Sequence, residues 1–125
     1  MQTFFDAYIE CALWSTTDNS DESGGQPLDQ NYGPEDIEPE TLKRMRDDCD
    51  QFQKDNEADL AACGLPESQQ GHDFWLNRNG HGSGFWDEYF NNSPEAEACE
   101  RLSQACRPWG TFDLYVGDDG MIYGS

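Results

Sequence analysis

Gly71-His72-Asp73-Phe74-Trp75-Leu76-Asn77-Arg78-Asn79-Gly80-His81-Gly82-Ser83-Gly84-Phe85-Trp86-Asp87-Glu88-Tyr89-Phe90 is the stretch on which the fold turns. It holds both histidines and two of the four tryptophans, with glycines at 80, 82 and 84. Glycine loses much backbone freedom on ordering, so a run of this kind suits positive φ or a close approach. The flanking aromatics supply large apolar area. Residues 72–78 alternate, with Phe74 and Leu76 on one face and Trp75 on the other. That alternation predicts a strand running into a shaped loop.

Upstream of this stretch, residues 39–63 carry the clearest helical pattern. Pro39 suits the first helical position, Leu42, Met45, Cys49 and Phe52 recur at three- and four-residue steps, and Gly64-Leu65-Pro66 stops the run. Residues 15–38 read as a long irregular acidic segment anchored by Leu28, Tyr32 and Ile37. An EF-hand register from Asp18 fits poorly, because glycine arrives one residue late and position twelve is Asp29. Residues 3–14 predict a helix with a wide apolar stripe through Phe4, Tyr8 and Cys11.

Downstream, Ser93 and Pro94 predict the cap and first residue of a further helix that buries Ala98, Cys99, Leu102, Ala105 and Cys106. Phe112, Leu114 and Val116 then alternate, Asp119-Gly120 signals a type I′ turn, and Met121-Ile122-Tyr123 returns. The expected class is α+β, with about three helices on an antiparallel sheet of about three strands, in one domain over residues 1–125.

The net charge is −19, from 26 acidic and 7 basic side chains, while 13% of residues are aromatic. Aromatic richness argues for a folded chain. Such acidity disfavours direct binding to nucleic acid or to an anionic membrane. Duplex DNA carries one charge per about 1.7 Å of axis, so nineteen charges correspond to roughly 32 Å of duplex. A compact chain of this length has a radius of gyration near 14 Å, roughly half that span. The charge density is therefore DNA-like. Asp47, Asp48, Asp50, Asp55, Glu57 and Asp59 fall largely outside the apolar stripe of the 39–63 helix and form an expected acidic ridge, interrupted by Lys43, Arg44, Arg46 and Lys54.

His72, Asp73 and His81 are the candidate metal or catalytic residues, yet no His-x-x-x-His, His-Glu-x-x-His or cysteine pair frames them. His81 beside Ser83, with Asp73 or Asp87, allows a triad on paper, but a triad is defined by geometry. The glycine run lacks the Lys-Ser/Thr of a phosphate loop. Five cysteines with no clamp spacing, and no basic leader or apolar span, read as buried thiols in a reducing cytoplasm. No metal or other cofactor is expected.

The segment Gly71–Asp87, together with Tyr8-Ile9-Glu10-Cys11-Ala12-Leu13-Trp14-Ser15 and Tyr115-Val116-Gly117-Asp118-Asp119-Gly120, resembles motifs in small acidic proteins carried by tailed bacteriophages and plasmids. The resemblance implies a mobile-element origin, a bacterial host cytoplasm, and no particular reaction. By analogy it fits an inhibitor of host defence, of the anti-restriction or anti-CRISPR type. The leading expectation is a non-enzymatic DNA mimic that binds a basic nucleic-acid-binding surface of a bacterial protein. The ridge residues and the 18–40 segment would supply charge, and Trp75, Arg78, His81 and Trp86 the shape and anchors. Two alternatives are a small metal-dependent or hydrolytic enzyme centred on the His72–His81 segment, and an accessory protein that binds a replication factor.

Overall fold

The computed structural model describes residues 3–18, 26–80, 85 and 93–124. Helix α1, Phe4–Ser15, starts at a capping box in which the Thr3 side chain accepts from the Asp6 amide at 3.1 Å and Asp6 accepts from the Thr3 amide at 3.4 Å. It buries Phe4, Tyr8, Ile9, Cys11, Ala12 and Leu13. Two short strands follow, β1 (Thr17–Asp18) and β2 (Gln26–Pro27), paired antiparallel. Two 3-10 turns, Leu28–Gln30 and Pro34–Asp36, complete the segment. Leu28 and Ile37 are buried and Tyr32 packs partly against the core, as the sparse anchors predict.

The pattern over 39–63 yields two helices, α2 (Pro39–Asp55) and α3 (Glu57–Ala62). Asn56 separates them at φ −122°, ψ 23°, its side-chain amide donating to the Phe52 carbonyl at 2.9 Å. A polar side chain thus takes up a carbonyl at the end of α2, and the helix expected to carry the ridge is divided there.

The largest correction concerns residues 72–78, which are not a strand. They form the second half of helix α4, Glu67–Arg78. The helix starts after Pro66, with Glu67 favourably placed in its first turn. Gln70, Gly71, Asp73, Phe74, Trp75, Leu76 and Arg78 are all buried, so apolar residues occupy nearly every side of the helix. Under those conditions a short window does not distinguish strand alternation from a buried helix. Gly71 sits where α4 crosses α1. A Cβ there would overlap the Phe4 carbonyl oxygen and come within 3.1 Å of the Tyr8 amide, so glycine is required by the close approach of two backbones.

Helix α5, Pro94–Cys106, is capped by Ser93, whose hydroxyl accepts from the Ala96 amide at 3.1 Å. It packs on α3 and buries Ala98, Cys99, Leu102 and Cys106, with Ala105 partly covered. A 3-10 turn, Arg107–Trp109, follows. The chain ends in an antiparallel hairpin of β3 (Leu114–Val116) and β4 (Ile122–Gly124). Its turn is not type I′, because Asp119 lacks positive φ. Gly120 alone has it, at 82°, in a three-residue loop closed by Gly117 N–H to the Met121 carbonyl at 2.7 Å. The hairpin docks on the start of α2 through a parallel bridge between Ile37 and Ile122 and a bond from the Gly124 amide to the Thr41 hydroxyl.

The fold is α+β and mostly helical, with five α-helices and two separate two-stranded ribbons among the described residues in place of one three-stranded sheet. The core lies between α1, α2 and α4, where Phe52 stacks on Phe74 at 4.1 Å between centroids and Tyr8 meets Trp75 edge-on at 5.3 Å. No described helix is long and apolar enough to cross a membrane.

Candidate partner-binding surface

Charge is distributed unevenly along the chain. Residues 1–38 contain nine carboxylates (Asp6, Glu10, Asp18, Asp21, Glu22, Asp29, Glu35, Asp36, Glu38) and no lysine or arginine. Helix α2 has five (Glu40, Asp47, Asp48, Asp50, Asp55) against the four bases Lys43, Arg44, Arg46 and Lys54. Helix α2, which holds four of the six residues of the expected ridge, is therefore close to neutral, and most of the negative charge lies elsewhere in the chain.

The ridge residues divide into different roles. Asp47 lies 3.5 Å from Lys43 on the exposed face, and Asp55 accepts from the Gln51 side chain at 2.8 Å. Asp50 and Glu57 are exposed. Asp48 turns inward to Arg78 at 2.9 Å, and Asp59 pairs with Arg101 of α5 at 2.8 Å. Asp48 and Asp59 are thus each paired with a base from another helix.

Trp75 and Arg78, expected on the contact surface, are buried. Trp75 donates its indole N–H to the Ser15 hydroxyl at 2.7 Å. Arg78 projects from the end of α4 into a shell of acceptors. Its Nη1 donates to the Tyr8 hydroxyl at 3.0 Å and to Asp48 Oδ2 at 2.9 Å, while Nε donates to the Gly110 carbonyl at 3.0 Å and Nη2 to the Trp109 carbonyl at 3.3 Å. The Phe74, Trp109 and Phe112 rings lie 5.4–5.6 Å from the guanidinium carbon. Burial alone would lower the Arg78 pKa, but the Tyr8 hydroxyl and the Asp48 carboxylate outweigh it and hold the group above its ordinary value. Burial also pushes the Tyr8 phenol above its ordinary range. His81 and Trp86 lie outside the described residues.

No family model, curated protein or solved structure matches the chain.

His72 and Asp73 are neighbours on α4, with His72 Nδ1 3.9 Å from Asp73 Oδ1. Asp73 is buried and accepts from Gln69 Nε2 at 2.9 Å, while His72 faces the exposed Trp14 ring at 6.1 Å. His72 Nδ1 and Asp73 Oδ2 have no hydrogen-bond partner among the described residues. No group of three His, Cys, Asp or Glu side chains that could hold a metal occurs among the described residues. All five thiols are buried. Burial pushes the Cys11 and Cys106 thiols up to about 12, with the Asp73 carboxylate adding to it in both, which makes them poor nucleophiles at neutral pH.

Four exposed carboxylates lie on the base-free part of the chain, on α1 and the 26–38 segment. Asp6 and Glu10 lie one turn apart on α1, and Asp29 and Glu35 are exposed on the 3-10 turns. Asp36 and Glu38 are also engaged locally, accepting from the Gly33 amide and from the Glu40 and Thr41 amides. The absence of any Lys or Arg before position 43 was the sequence signal for this surface.

Proposed function

We propose that the chain is a non-enzymatic acidic inhibitor that occupies the basic nucleic-acid-binding surface of a bacterial protein, such as a defence nuclease or a CRISPR effector. One observation carries this reading: nine carboxylates without a single base over residues 1–38, several of them exposed on α1 and the adjoining turns. A surface of one sign raises the encounter rate with a basic groove and competes with phosphates for it. Of the bases elsewhere, Arg46 reaches this segment, its guanidinium 4.1 Å from the Phe5 ring centre. Arg78 is buried, Arg101 is paired with Asp59, and four of the seven lie on α2.

The test is competition. A partner captured at low salt should lose labelled duplex DNA as this protein is added, and the effect should weaken as salt rises. The variant Glu10→Gln/Asp29→Asn/Glu35→Gln should inhibit much less well, because these three exposed acids lie on the base-free segment. Neutralising Asp47, Asp50, Asp55 and Glu57 should have the smaller effect. A captured partner that binds no nucleic acid, or equal inhibition by parent and triple variant, would overturn the reading.

A further inference from the structure

Within the base-free segment, α1 and the 3-10 turns enclose a cavity of about 400 Å³. Its construction follows from helical spacing. Phe5, Ile9 and Leu13 succeed one another at four-residue steps and form one apolar stripe of α1, and Asp6 and Glu10 form the stripe next to it. The opposite wall is Tyr32, Gly33 and Pro34, with Asp29 at its edge. Ile9 and Leu13 are buried at the bottom, Phe5 and Tyr32 are half-buried at the sides, and Asp6, Glu10 and Asp29 are exposed.

An apolar floor under three carboxylates has a definite chemical complement. Arg46 reaches over from α2, its guanidinium 4.1 Å from the Phe5 ring centre, and it is not one of the residues lining the cavity. The lining contains no Lys or Arg. The acidic rim would repel an anion, and a neutral apolar guest would make no use of it. A group that combines an apolar stem with a cationic head meets both parts.

We propose that this cavity receives an arginine or lysine side chain of the partner, its stem against Phe5, Ile9 and Tyr32 and its head among Asp6, Glu10 and Asp29. The proposal rests on the acidic-inhibitor reading and names the partner feature that this acidic segment would hold.

The probe is benzamidinium, whose flat ring and planar cation mimic an arginine side chain, with benzoate as the same ring of opposite charge. Titrated into the isotopically labelled protein at millimolar concentrations, benzamidinium should shift the amide resonances of residues 5–13 and 29–33, and benzoate should not. Glu10→Gln/Asp29→Asn should weaken benzamidinium binding about fivefold while leaving the amide spectrum folded, as expected for the loss of two exposed charges. Equal shifts from benzoate, shifts confined to other residues, no binding at tens of millimolar, or an unchanged affinity in the double variant would each overturn the proposal. If the cavity fails this test while the Glu10/Asp29/Glu35 variant still loses DNA competition, only the cavity assignment falls. Benzamidinium bound at the cavity with no partner that competes with DNA would overturn the inhibitor reading and leave the cavity a site for basic groups.

Discussion

Arg78 and the carboxylates of α1 and the 26–38 segment use charge in opposite surroundings. Arg78 is buried, fixed by four hydrogen bonds from three of its nitrogens and ringed by aromatic faces. Asp6, Glu10, Asp29 and Glu35 are exposed to water. In the interior a charge is held strongly by its partners, and leaving any of them bare is costly. At the surface each charge contributes little to folding, but the summed field reaches about a Debye length into solution. The same type of group therefore serves cohesion in one region and recognition in the other.

Removing the inner charge should have the largest effect. Arg78→Met should destabilise by about 3–5 kcal/mol, because Tyr8, Asp48 and two backbone carbonyls lose their donor together. Denaturant unfolding measures this. A loss below about 1 kcal/mol would show that the cluster is no more cohesive than an exposed pair. Arg78→Lys should recover only part, since an ammonium cannot reproduce the planar fork.

Next in size is the helix crossing on which both regions are built. Gly71→Ala should cost about 2–3 kcal/mol by forcing α1 and α4 apart at Phe4. An unchanged melting temperature would mean that the two backbones do not approach as closely as described.

Glu38 stands between the two regimes, half-buried and fixed by backbone donors. The Glu40 and Thr41 amides hold its carboxyl below the ordinary value. A lowered folded-state pKa contributes stability above the unfolded carboxyl pKa, and that contribution is lost as pH falls through the folded pKa. Glu38→Gln should therefore reduce the acid dependence of stability below about pH 5. An acid limb identical to the parent's would show that its cap has no part in it.

The smallest expected effect on folding comes from the outer face. Glu10→Gln/Asp29→Asn/Glu35→Gln should raise stability by a few tenths of a kcal/mol at low salt through relief of self-repulsion, and the gain should vanish at high salt. A salt-independent destabilisation would place these acids with Arg78, as structural partners.

Much of the architecture was legible from residue order. Pro39, and Ser93 before Pro94, mark helix starts that the structure contains, because these signals are local chemistry between near neighbours. The hairpin from Leu114 to Gly124 was likewise readable from alternation and Asp119-Gly120, although its loop has three residues. Buried Leu28 and Ile37 were recognisable as the few apolar residues of an acidic segment.

Composition and order by themselves determined the acidity, the base-free first third, the capped helices and the C-terminal hairpin, since each depends on groups close together in the chain. Tertiary structure decided the rest. Residues 72–78 became helix because α1 and α2 cover so many sides of α4, which removes the period that would have announced it. Trp75 and Arg78 went inward because their partners, Ser15, Tyr8, Asp48, Trp109 and Gly110, are 30 to 70 residues away in sequence. Asp48 and Asp59 left the expected ridge for the same reason. A buried charge settles where its partners converge, and that convergence exists only once the helices have packed.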